Sequence, residues 1–185
     1  MKPYYKIFII FALALIYSYL RYIIFSKIRF DFMMLYVTNK AFALSAVSIL
    51  FFKISRDLKH ANIFLNVFIA LHISVSIFLL NPEHFDKLYI DKLQFTVFGL
   101  LFLLSGILAA TFWISFIYKR LIDISLKYKL LAFLFFVMMH NLLLGFSSWI
   151  NYSNWVGYLP PITLISFLFN LISVFIIAKK KLIFT

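Results

Sequence analysis

KHANIFLNVFIALHISVSIFLL, residues 59–80, decides how the whole chain is read. After Lys59 and His60 come twenty residues without a charged side chain; their polar members are Asn62, Asn66, His72, Ser74 and Ser76. Twenty helical residues span about 30 Å, the thickness of a bilayer's hydrocarbon core. The apolar run is continuous, with no alternation of period two, so the segment reads as a helix rather than a barrel strand. A lone imidazole in the middle of such a span is costly to bury, which makes His72 a functional candidate from the outset.

Five further segments share the pattern, and the six run roughly over 4–25, 33–53, 61–80, 94–117, 130–150 and 160–178. The second is the weakest, because Lys40 interrupts it. Pro3, Pro82, Pro160 and Pro161 fall at or beyond span ends, where helices tolerate proline. The expected fold is all-α: one domain, 1–185, forming a polytopic bundle of six transmembrane helices. Composition agrees. Hydrophobic residues make up 65% and charged residues 13%, against roughly 45–50% and about 25% in soluble domains. The N-terminal run after Lys2 and Lys6 resembles a signal peptide, but no small-residue cleavage site follows it, so it reads as an uncleaved first span.

There are no cysteines, which excludes disulfides, iron–sulfur clusters and thiolate metal sites. The net charge of +12 sits in short clusters between the apolar runs. No basic segment is longer than a turn or two, so the charge points to orientation and anionic lipid, and nucleic acid is excluded as a partner. Counted by alternate connections, twelve Lys and Arg lie on one side and six on the other. The richer side, with both termini, is expected in the cytoplasm. Trp149, Tyr152, Trp155 and Tyr158 then form an outer aromatic belt, with Tyr118 and Tyr128 at the inner edge.

Two of the four histidines, His72 and His140, lie inside spans. Spans three and five run in the same direction. His72 is thirteen residues after Lys59 and His140 thirteen after Lys127, so each imidazole stands roughly 20 Å from its inner basic marker. Matched depth on separate helices suits the two axial ligands of a b-type haem. The bland reading stays open: two unrelated histidines bonded to Ser, Thr or Asn of neighbouring helices. A two-histidine metal site is poorer, since no Asp or Glu lies inside a span. His60 reads as an interfacial residue, with a second haem or a quinone as the alternative, and His84 as a solvated loop residue. Lys40, near the height of the pair, either snorkels to water or meets a haem propionate. Asn66, Ser76, Asn141 and Gly145 either line the pocket or pack helices.

The third span, from Lys59 to His72, resembles the basic-to-histidine third helix of the ferric-reductase-like transmembrane domain family. The stretch from Lys127 to His140 is similar to that family's fifth helix, and Thr38 to Leu44 to the start of its second. Size, six spans and the lack of a flavin domain resemble one branch, the haem-binding membrane subunit of the bacterial periplasmic methionine-sulfoxide reductase system. The resemblance implies one haem b on His72 and His140, with Lys40 beside it and quinone or FMN as further cofactors. Lys127 stands where the family often has a second inner histidine, so one haem is the expectation. It also implies residence in the bacterial inner membrane, with electrons arriving from membrane quinol or a cytoplasmic flavin reductase. They would pass to a periplasmic molybdopterin-containing methionine-sulfoxide reductase subunit, which keeps the sulfoxide chemistry. The outer loops, 81–92 and 151–158, are where that partner is expected to dock. The alternatives are another ferric-reductase-type b-haem oxidoreductase, or a non-redox scaffold or transporter. The orientation is directly testable: a cysteine placed by His84→Cys should react with an impermeant maleimide in intact cells, and one placed by Ser125→Cys should react only after lysis. The reverse pattern would invert the topology.

Overall fold

The structure, a computed structural model, describes residues 3–26, 32–56, 61–82, 85–91, 94–118, 121–122, 124–151, 153 and 155–179. It is all-α, with six helices long and apolar enough to cross a membrane: α1 (Pro3–Tyr19), α2 (Met33–Arg56), α3 (Ala61–Leu79), α4 (Val97–Ile117), α5 (Leu126–Ile150) and α6 (Ile162–Lys179). The chain is a multi-pass membrane protein.

α2, the weakest span by sequence, is the most buried helix. Ala41, Ser45, Ala46 and Ser48 are all buried on it, and such small side chains let backbones approach closely in a membrane. It packs against α1, α3 and α6, so its modest hydropathy reflects protein neighbours instead of lipid. The remaining contacts run α6 to α5 and α5 to α4. The order α3, α2, α6, α5, α4 therefore makes an open ring, with α1 outside α2. The two ends of that ring, α3 and α4, have at most marginal backbone contact. One hydrogen bond, Trp113 Nε1 to Asn66 Oδ1 at 2.9 Å, ties them together toward the N-terminal end of α3 from His72.

The boundaries differ from expectation at four ends. α2 runs on to Arg56, where residue 53 was expected. The fourth helix starts at Val97, not residue 94, because the Thr96 hydroxyl accepts from the Gly99 amide at 2.9 Å and caps it. The residues before it fold back as a two-stranded hairpin, β1 (Tyr89–Asp91) against β2 (Gln94–Phe95). The fifth helix begins a turn early, at Leu126, and takes in Lys127 and Lys129. Pro160 and Pro161 lie just ahead of α6. α1 runs on through a wider turn, Leu20–Ile24, that buries Arg21; its guanidinium donates to the Leu159 carbonyl and the Tyr17 hydroxyl to that of Pro160.

Of the expected belt, Trp149 turns inward to bond Thr163 Oγ1 at 2.9 Å and Trp155 bonds the Ser148 carbonyl at 3.1 Å, whereas Tyr158, Tyr118 and Tyr128 are exposed. Tyr152 lies outside the described residues. The hairpin is docked at Gly99, where an added Cβ would overlap the Leu88 carbonyl and where Thr96 N donates to the same oxygen at 2.8 Å. Gly99→Ala should cost about 1–3 kcal/mol by overpacking, read as a lower Tm in detergent; an unchanged Tm would show that the hairpin does not rest there.

Candidate cofactor site

His72 and His140, on α3 and α5, face one cavity of about 300 Å³ between the helices. That volume is at the low end of the roughly 300–1,000 Å³ typical of ligand pockets. Its walls are mostly apolar, with Leu50, Leu65, Ile69 and Phe133 at the inner end and Leu80 and Phe85 at the outer end.

Each imidazole is held by its Nδ1. For His72 the partner is Asn39 Oδ1 at 2.8 Å, and the same amide's Nδ2 donates to Ser76 Oγ at 2.9 Å. An amide oxygen only accepts, so Nδ1 carries the hydrogen and Nε2 keeps its lone pair. For His140 the partners are the Phe102 carbonyl at 3.2 Å and Ser105 Oγ at 3.3 Å. The Ser105 hydroxyl already donates to that carbonyl at 2.7 Å, so Ser105 can only accept from the ring. Nδ1 is again the donor and Nε2 again the bare nitrogen. Phe102 also stacks on the His140 ring, with centroids 4.1 Å apart. Gly106 completes the seat: a Cβ there would stand 3.2 Å from His140 Cε1. Neither Nε2 has a hydrogen-bond partner among the described residues.

This is how metal-bound histidines are held, one nitrogen donating to a carbonyl and the other directed at the metal. Among the described residues no group of three His, Asp or Glu gathers to hold a metal ion. Two axial nitrogens are what a macrocycle needs, since it brings its own equatorial ligands.

Lys40 lines the same cavity and is only 9% exposed. Its Nζ lies 5.0 Å from the Tyr36 ring centroid and has no carboxylate partner among the described residues. Asn170, on α6, also lines the cavity; it is fully buried and its Nδ2 has no hydrogen-bond partner.

Of the other expected residues, Ser76 and Asn141 line the cavity, but Asn141 Nδ2 donates to the Val137 carbonyl of its own helix. Asn66 is taken up by Trp113, and Gly145 is where α5 meets Thr163 of α6 under the Trp149 ring of its own helix, so neither belongs to the site. His60 and His84 lie outside the described residues, as does Lys59. The sequence reading passed over Asn39, Ser105, Gly106 and Asn170. A signal existed: Gly106 is one of only four glycines, and Asn170 is the lone amide of its span.

No protein-family model matches the chain, and neither the curated proteins nor the solved structures contain a match. What the fold defines is the class, a multi-pass membrane protein; what it does has to be argued from the cavity itself.

Proposed function

We propose that the chain is a haem b-containing electron-transfer subunit of a bacterial cytoplasmic membrane, with both termini inside. In this reading it carries electrons from quinol or a cytoplasmic flavin reductase to a periplasmic molybdopterin methionine-sulfoxide reductase that repairs oxidised proteins. The observation that carries the proposal is the pair of imidazoles, each with Nδ1–H held by an oxygen and Nε2 left bare toward one apolar cavity. The donor set fits the group. His72 and His140 would hold the iron from two sides, and Lys40 would meet an acidic edge. When bound, the haem supplies reversible one-electron carriage between ferric and ferrous iron.

The chain's own residues do the rest. Asn39, Ser105 and the Phe102 carbonyl fix each ring's tautomer and turn its lone pair inward. Phe102 and Gly106 set the plane of the His140 ring between them. The apolar walls keep water away, so charge on the iron is felt strongly by its neighbours. The choice of acceptor rests on the family resemblance, in which the sulfoxide chemistry belongs to the partner.

A visible spectrum of the purified protein tests the class. A sharp Soret shift and a distinct α band are expected on reduction, and both should be lost in His72→Ala and in His140→Ala. A wild type that stays colourless after haem supply would refute the reading. Asn39→Leu should weaken haem affinity by about 10–100-fold while the ligands remain; unaltered affinity would show that the Asn39 bond does not orient His72. Deletion of the protein should abolish periplasmic methionine-sulfoxide repair. If repair persists while the spectrum stands, the chain is a b-haem oxidoreductase with another acceptor.

A further inference from the structure

Of the residues that line the cavity, Ile77 on α3 and Ile107 on α4 are the two that are also exposed, at 69% and 61%. A side chain that both lines a cavity and faces outward marks its mouth. These two stand on the helices that end the open ring, on the His72 side of the Asn66–Trp113 tie. The flanking Phe78, Leu100 and Leu104 are exposed as well. No charged residue among the described ones stands beside the opening on these two helices, and the nearest exposed hydroxyl on α4, Thr111, is spent on the Ile107 carbonyl.

Opposite the mouth, across the ring, stand α2 and α6. They present the Asn170 amide, whose Nδ2 has no hydrogen-bond partner, and the Lys40 ammonium, which lies over the Tyr36 ring with no carboxylate partner among the described residues. A buried donor without an acceptor is costly in a bilayer. Such a donor and a cation on one wall suit an acidic acceptor from outside the chain. The imidazoles flank the path between mouth and wall.

We propose that the cavity is loaded sideways from the bilayer, through the mouth between Ile77 and Ile107, by a flat apolar ligand with a carboxylate edge. That edge goes in first and docks on Lys40 and Asn170, which brings the apolar body between His72 and His140. The inference rests on the haem reading above and adds to it a route and a subsite. An apolar body needs an apolar door, and the two donors at the back give the ligand a direction. A water-facing route would instead strand the carboxylates at the opening.

The chain has no native cysteine, so the pair Ile77→Cys and Ile107→Cys can be bridged without background. Haem-free protein is bridged with a short bis-maleimide, given hemin in detergent, and followed at the Soret band. Uptake should be lost after bridging and normal in each single variant blocked with a small maleimide; protein bridged after loading should keep its haem. Ile77→Trp with Ile107→Trp should independently slow uptake while leaving the final spectrum unchanged. Normal uptake by both the bridged and the Trp proteins would overturn the lateral route. The subsite has its own arm. Asn170→Leu and Lys40→Met should each weaken hemin by about 10–100-fold, the worth of a hydrogen bond to a charged group. Neither should affect the dimethyl ester, which lacks the acid edge. Equal weakening of acid and ester would overturn the docking on these residues. The absence of a Soret band in the untreated wild type would be a failure of the haem reading itself, distinct from either result.

Discussion

In hydrocarbon a polar group has no water to fall back on, and everything distinctive about this protein follows from how it meets that constraint. Many of its intramembrane hydroxyls and amides bond within their own helix. Ser18 donates to the Ala14 carbonyl, Ser45 to Ala41, Thr111 to Ile107, Ser173 to Phe169, and Asn141 to Val137. These groups cost little and say little. Others are met across helices, as in Trp113–Asn66 and Trp149–Thr163. One cavity gathers two imidazole Nε2 atoms and the Asn170 amide, none with a hydrogen-bond partner among the described residues, together with the Lys40 ammonium.

The helix arrangement supplies the room for that cavity. α2 is built from small residues because it must touch three neighbours, and this close packing draws α1, α3 and α6 together on one side. α4, α5 and α6 make the other side. The two halves meet through α2 and α6, and on the far side the Asn66–Trp113 bond joins α3 to α4. A closed six-helix bundle with the same sequence would squeeze the cavity out. The incomplete ring keeps it, at the depth where the histidines stand.

The number of helices, their approximate ends and the pairing of His72 with His140 were legible in the sequence. Apolar run length is a one-dimensional signal, and depth along parallel spans is simple arithmetic from it. The hairpin at residues 89–95 was not legible, because its register depends on the Gly99 backbone receiving Leu88, a contact between distant surfaces. Asn39 and Ser105 were missed for a related reason. Depth can be counted along one helix, but the rotation of one helix against another cannot, and rotation decides which small polar residue meets a ring. Asn66 shows the same limit from the other side. It lies on the histidine's own helix, yet its partner is Trp113.

The two imidazoles are not held alike, and the difference bears on how the site would be tuned. His140 leans on a backbone carbonyl, with Phe102 stacked on its ring and Gly106 beneath it. Its orientation follows from the path of α4 and survives most changes of side chain there. His72 leans on Asn39, whose amide is itself steadied by Ser76. Both supports are side chains, so a single substitution alters the hydrogen bond that sets the ring's basicity. A ligand's basicity shifts the balance between the oxidised and reduced states of the metal it binds. In the proposed haem site the fixed imidazole would give the geometry, and the Asn39–His72–Ser76 group the adjustable element. Lys40 follows Asn39 directly on the same helix, so a shift of α2 would move the adjustable hydrogen bond and the cavity's positive charge together.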